Sequence, residues 1–287
     1  MKQSFLAFVL CLIFALPAAA ETSLWIVEKD GARAYLGGTS HLLRSSDYPL
    51  PPEYATAYDA ADTVVFEVNP GQIGSADFQR EVMTQAIYPE GKGLDQVLSK
   101  ETYRRLIAEA GRVGIEPEAV RRMKPAMVAL ALLSAELAKL GVTQRGVDFH
   151  FYERAVADGK TLGALETPRE QIGFIFKLGE GDEDNFIRYM LEDIGRTDEV
   201  IEPMINAWRA GDAAGIDRLA LADMRQNFPA VYRTLIIDRN ERWEGQIEKL
   251  IASPPTELIL VGVGHLVGEG GLVRHLRSRG YRVEKMK

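Results

Sequence analysis

His41 and His265 stand near opposite ends of the chain in matching surroundings. Leu36, Gly38, His41 and Leu42 of A-Y-L-G-G-T-S-H-L-L (34–43) align on Leu260, Gly262, His265 and Leu266 of E-L-I-L-V-G-V-G-H-L-V (257–267). Neutral imidazole and carboxylate are the usual ligands of zinc, manganese, iron and cobalt, and catalytic sites leave one position open for water. The carboxylate comes from Glu67, the one acid in the apolar run T-V-V-F-E-V (63–68). An ionised carboxylate on a buried strand needs a cation, a donor or a metal beside it. His41, His265 and Glu67 are therefore candidate ligands of one divalent metal, with Glu67 alternatively the general base. Such a metal lowers the pKa of bound water and polarises a carbonyl, which makes peptide or ester hydrolysis feasible near neutral pH. Glu166, in L-G-A-L-E-T-P (162–168), repeats the logic of Glu67, and with Asp148 it is a candidate to hold the ligands in place. Arg239 and Asn240, in D-R-N-E-R-W (238–243), could orient a substrate carbonyl or stabilise its oxyanion.

Each of these residues also has a simpler reading. Glu67 could form only a buried salt bridge with Arg239. Glu166 and Asp148 could cap helices, and Arg239 and Asn240 could lie on an exposed polar face. His150 and His275 read as solvated or core-edge histidines.

The elements that must position the candidates are strands. Residues 258–263 have the uninterrupted apolar, β-branched character of a strand covered on both faces, and Gly262 and Gly264 let the backbone turn sharply where it stops. His265 then sits at a strand's carboxyl end, where ligands bind in open α/β sheets. Asp30-Gly31, between 23–28 and 33–36, predicts a hairpin whose second strand leads to His41. Further strands are expected at 63–68 and 161–166, with an edge strand at 281–285. Helices are expected at 53–61, 78–87, 100–113, 117–123, 125–140, 147–157, 169–178, 186–194, 200–210, 216–222, 229–251 and 272–278. The helix over 125–140 is apolar nearly all round and is expected to be a central packing element; those over 186–222 read as a lid or side layer. The fold class is α/β: a central mixed β-sheet with two G-x-x-H strand-end motifs, surrounded by many helices.

The first twenty residues read as a secretory leader, with Lys2, an apolar stretch over 5–16 and Pro17-Ala18-Ala19-Ala20 before a cut near Ala20. The expectation is a periplasmic or secreted protein with 21–287 as a single domain. Cys11 is the only cysteine, and Leu10 before it argues against lipoprotein cleavage. Thiolate metal sites and cysteine nucleophiles are thus excluded from the mature chain. Nothing after the leader is apolar for the length of a membrane span, so no integral membrane segment is expected. The net charge of -7, with no basic cluster, makes nucleic acid and anionic membrane surfaces poor partners. A dinucleotide fingerprint over 262–268 is disfavoured, because its third glycine is displaced by one position and His265 stands where the backbone should approach the pyrophosphate. The loop Gly268-Glu269-Gly270-Gly271 could still hold an anion at a helix start.

At these residues the chain resembles the TraB/GumN family, which includes bacterial GumN-type proteins and the animal TIKI proteases. The resemblance runs through L-W-x-V and Y-L-G-G-T-S-H, A-D-T-V-V-F-E-V, G-V-D-x-x-F to L-G-A-L-E-T-P-x-E-Q-I, D-R-N-E-R-W, and V-G-V-G-H-L-V-G-E-G-G-L. It implies a fold similar to erythromycin esterase and the haem-binding ChaN-like proteins, with paired G-x-x-H motifs near the site, and metal-dependent proteolysis for the TIKI branch. Carried over by position, it puts His41, Glu67 and His265 first, with Glu166, Arg239 and Asn240 behind them; Gly38 and Gly262 supply backbone shape. The expectation is an exported metal-dependent hydrolase of peptide or ester bonds, using Mn, Co, Zn or Fe on a peptide or small-molecule substrate. The alternative is a non-catalytic haem- or metal-binding protein, or an accessory factor for envelope polysaccharide.

Overall fold

The N-terminal hairpin forms where Asp-Gly interrupts two apolar runs. Strands β1 (Leu24–Lys29) and β2 (Ala32–Thr39) pair antiparallel, with Leu24 opposite Gly37 and Lys29 opposite Ala32. Their two-residue turn needs positive φ at both positions, and Asp30 (51°) and Gly31 (84°) supply it. This computed structural model describes residues 22–287 apart from Gln144 and Ser253, so the expected leader lies outside the described residues.

Four further strands complete one mixed sheet: β3 (Thr63–Phe66), β4 (Thr161–Ala164), β5 (Glu257–Gly262) and β6 (Arg282–Lys285), in the order β4-β3-β5-β2-β1-β6. β5 is parallel to β2 and to β3, and β3 is parallel to β4, whereas β6 is antiparallel to β1. Every residue of β5 is buried, as its unbroken apolar run requires. The consequence for function is positional. The carboxyl ends of β2, β5, β3 and β4 lie side by side, and just beyond them come His41, His265, Glu67 and Glu166. β3 and β4 end one and two residues before their glutamates. The pairing nevertheless continues past both ends, with Leu165 N–H on Phe66 O (2.9 Å) and Glu166 N–H on Glu67 O (2.8 Å).

The helices divide between two hydrophobic clusters. One covers the sheet and includes Leu36, Tyr54, Phe66, Phe151, Trp208, Trp243 and Leu260. The other lies among the helices between β3 and β4 and the later helix Glu183–Ile194, around Leu94, Leu106, Val120, Leu132 and Ile187. The helix Pro125–Lys139 belongs to this second layer, which corrects its expected place at the centre. Its partners are the apolar stripes of other amphipathic helices rather than the sheet, and Leu130 on its outer side is exposed.

The long helical run from Pro229 to Ile251 is present but not uniform. A π-helical turn, Arg233–Ile237, separates Pro229–Tyr232 from Asp238–Ile251. A second π turn, Asp217–Leu221, interrupts the stretch expected as one helix over 216–222. Among the described residues, no helix is long and apolar enough to cross a membrane.

Candidate functional site

Glu67 Oε1 accepts the Gly262 N–H at 2.6 Å, which ties the end of β3 to the end of β5. A Cβ on Gly262 would lie 2.9 Å from His41 Nε2 and 3.1 Å from Glu67 Oε1. Gly262 is needed for space, not for the sharp turn expected of it, since its φ of -50° is open to any residue. Gly146 has a similar role: a Cβ there would stand 2.2 Å from Ser40 O. That close approach seats the start of helix Val147–Asp158 against the loop carrying His41.

Both histidines are held by their Nδ1 atoms. His41 Nδ1 lies 2.7 Å from Asp148 Oδ2, and His265 Nδ1 lies 2.8 Å from Asn240 Oδ1. Because each partner oxygen accepts, each Nδ1 carries the proton, and in a neutral ring the lone pair is on Nε2. Both Nε2 atoms face one oxygen, Glu67 Oε1, at 3.9 Å from His41 and 3.8 Å from His265. His41 is exposed at the mouth, whereas His265 is buried beneath it with the Trp243 ring 4.5 Å away, centre to centre. Asp148 is therefore not a helix cap; Gly146 holds the N-cap position and no side chain caps it.

Arg239 joins the rest. Its Nη2 donates to Glu67 Oε2 at 2.5 Å and Glu166 Oε2 at 3.0 Å, its Nε to Glu166 Oε1 at 3.0 Å, and its Nη1 meets His265 Nε2 at 3.0 Å. The salt bridge between Glu67 and Arg239 is thus present as part of a larger network. The capping role open to Glu166 is overturned, because Thr167 caps the next helix in a reciprocal box with Glu170. Arg239 and Asn240 are buried rather than on an exposed polar face, because the strand-end carbonyls and carboxylates satisfy them there. Asn240 has no donor left for a substrate oxyanion: its Nδ2 serves His265 O (3.1 Å) and Gly270 O (2.8 Å). Its place in the site is to hold His265.

Trp243 has no role expected from the sequence, yet it touches three members of the network. Its Nε1–H donates to Glu166 Oε1 at 3.0 Å, and its ring lies 4.6 Å from the Arg239 guanidinium carbon as well as against His265. The available signal was its spacing of four from Arg239, which places both on one helix face. His275 sits outside the site, partly exposed and 3.0 Å from Glu244; His150 is exposed, with its ring edge-on to Phe151.

The electrostatics follow from this packing. Burial opposes the Glu67 charge, but Arg239, the two imidazoles and the Gly262 N–H hold its carboxyl well below the usual carboxylate range. The protein packed around the inner side of the half-exposed His41 ring opposes its proton, and there Asp148, with Glu67 behind it, prevails and pushes the pKa up to about 9. For His265, burial, with Arg239 and His41 adding to it, outweighs the pull of Glu67, lowers the pKa to about 3 and keeps the ring neutral. Burial raises Glu166, against the pull of Arg239. The Glu67 and Glu166 carboxylates face the Arg239 guanidinium, and Glu67 also faces the His41 ring when that is protonated, so a metal cation at the inward Nε2 atoms would replace the His41 proton.

The donor set suits a divalent metal chemically: two imidazole nitrogens with fixed tautomers, one carboxylate oxygen, and a side kept open by the missing Cβ of Gly262. As placed, no three His, Cys, Asp or Glu side chains among the described residues are grouped to hold an ion. Ligands about 2.1 Å from a tetrahedral ion stand about 3.4 Å apart. Each Nε2–Oε1 separation must therefore close by about half an ångström, Arg239 Nη1 must leave His265 Nε2, and His41 must give up the proton that its raised pKa keeps on Nε2.

No curated protein and no solved structure matches the chain. A sequence model of the TraB/PrgY/gumN family matches residues 23–285, which include all four strand-end residues and the helix that carries Arg239. The chain belongs to the TraB/PrgY/gumN family.

Proposed function

We propose that the chain is an exported hydrolase of peptide or ester bonds, with a divalent Mn, Co, Zn or Fe ion held by His41, Glu67 and His265. One observation carries this reading: two imidazoles, each secured at Nδ1, turn their Nε2 atoms toward the same buried carboxylate oxygen. When bound, the metal supplies a water of lowered pKa and an electrophile for the substrate carbonyl. The chain's own residues do the positioning. Asp148 and Asn240 fix the tautomers, and Arg239 keeps Glu67 ionised. Glu166 and Trp243 hold the guanidinium from the other side. Substrate reaches the site past His41, the exposed member of the set. Export rests on the leader expected over residues 1–20.

A second reading, a non-catalytic haem- or metal-binding protein, is favoured by the bond from Arg239 to His265, which leaves the buried network satisfied without an ion. An assay with a peptide and ester panel, run with each metal and after chelation, separates the two. The hydrolase reading predicts turnover that needs metal and falls by about a hundredfold or more in His41→Ala and His265→Ala. No turnover with any metal, together with a Soret band after haem addition, supports the binder.

A further inference from the structure

A cavity of about 370 Å³ opens between the loop after helix Pro168–Ile175 and the start of the helical run that carries Arg239. Leu178, Phe186, Phe228, Pro229, Val231 and Thr234 line it. That volume falls within the range of small-ligand pockets, and the lining is largely apolar. Two contacts shape the walls. Gly179, at φ +78°, lies so close to Phe186 that a Cβ there would stand 2.7 Å from its ring. The Phe228 ring is braced by Tyr189, with centroids 4.3 Å apart. The exposed edge carries Lys177 against Glu180 and Asp182, a net negative charge that disfavours an anionic ligand. The chemistry that fits is a neutral, bulky apolar group.

Both walls belong to segments that run on to residues of the candidate site. The helix Pro168–Ile175 begins two residues after Glu166, and its Phe174 ring lies 5.9 Å from the Arg239 guanidinium carbon. On the other wall, Thr234 stands five residues before Arg239, within the π turn. In an ordinary helix, residues five apart are about 140° apart around the axis. In a π turn the backbone bonds join residues five apart and stack them, as Asp238 N–H does on Arg233 O. The widened turn therefore brings the cavity wall round toward the side of the helix that carries Arg239, roughly 7 Å along the axis.

We propose that this cavity is a specificity subsite that accepts an aromatic or branched apolar group attached next to the scissile bond. The assignment of its occupant to a substrate rests on the hydrolase reading. The substrates it selects are peptides or esters bearing such a group, and the π turn aligns that group with Arg239.

The test is a fluorescence titration of the purified chain with N-phenyl-1-naphthylamine, an uncharged apolar probe. It is repeated on Ala230→Trp, which fills the cavity from an exposed position of Pro229–Tyr232, and on Thr234→Phe, which fills it from the π turn. Circular dichroism establishes that each variant is folded. The proposal predicts saturable binding that weakens about tenfold or more in both variants. It also predicts a matching drop in kcat/KM for aromatic over alanine-bearing substrates. No saturable binding, or binding unchanged by both substitutions, overturns it. Binding that behaves as predicted without turnover of any substrate leaves the cavity as a ligand site and overturns the hydrolase reading instead.

Discussion

Arg239 Nη1 lies 3.0 Å from His265 Nε2, so a guanidinium holds the lone pair that a metal ion would take. The same guanidinium binds Glu67 and Glu166, and its position decides whether the strand-end residues form a closed ion-pair network or an open ligand set.

Removing that cation strands two buried carboxylates. Arg239→Met is expected to destabilise the fold by about 3–5 kcal/mol, the usual cost of breaking a buried pair from one side. Adding Glu67→Gln should restore part of the loss, because one uncompensated charge is then removed. Urea unfolding of the wild type and the two variants checks this; a loss below about 1 kcal/mol for Arg239→Met is the contrary result.

Gly262→Ala places a methyl group between His41 Nε2 and Glu67 Oε1. Overpacking of this kind costs about 1–3 kcal/mol, and the larger effect falls on function, because the shared space is lost. The expected outcome is a folded protein with metal binding and turnover abolished. A Gly262→Ala protein that binds metal like the wild type contradicts the role given to this glycine.

Trp243→Phe keeps an aromatic ring against His265 and removes the Nε1–H bond to Glu166. Loss of one hydrogen bond to a buried charged group predicts about 1.5–3 kcal/mol less stability. With the Arg239 anchor loosened, kcat is expected to fall while KM changes little. An unchanged kcat would show that the ring's packing alone matters.

How much of this could be read from the chain depends on how far apart the partners lie. The hairpin at Asp30-Gly31, the buried β5 and the glutamates closing two strands follow from local patterns. The roles of Asp148 and Glu166 do not. A carboxylate in a first helical turn or before a proline looks like a cap from nearby residues alone. What redirects it is His41, 107 residues from Asp148, and Arg239, 73 residues from Glu166. Asn240 looks like an oxyanion donor until Gly270 and His265 are seen to use its amide. The π turn before Arg239 left no mark in the apolar periodicity, and Pro125–Lys139 looked central because nothing in its own residues says whether helices or a sheet will cover it.

At the opposite end of β5, Glu257 is buried and its Oε2 has no hydrogen-bond partner among the described residues. Burial, with Asp62 adding to it, pushes this carboxyl up to about 7 from an ordinary 4.5. The folded chain therefore keeps a proton that the unfolded chain has lost. The stability associated with that proton is fully present below about 4.5 and is lost as pH rises through about 7. Glu257→Gln should abolish this slope, read as the difference in urea midpoint between about pH 5 and about pH 8. An equal slope in both proteins would place the titration elsewhere.

The central claim is that His41, Glu67 and His265 close on one ion. Equilibrium dialysis of the purified chain against Zn, Co, Mn and Fe, with the metal counted per chain, measures this directly. The account predicts about one equivalent of at least one metal in the wild type, lost in His41→Ala and in His265→Ala. Retention of the metal in both variants, or none bound by the wild type, contradicts it.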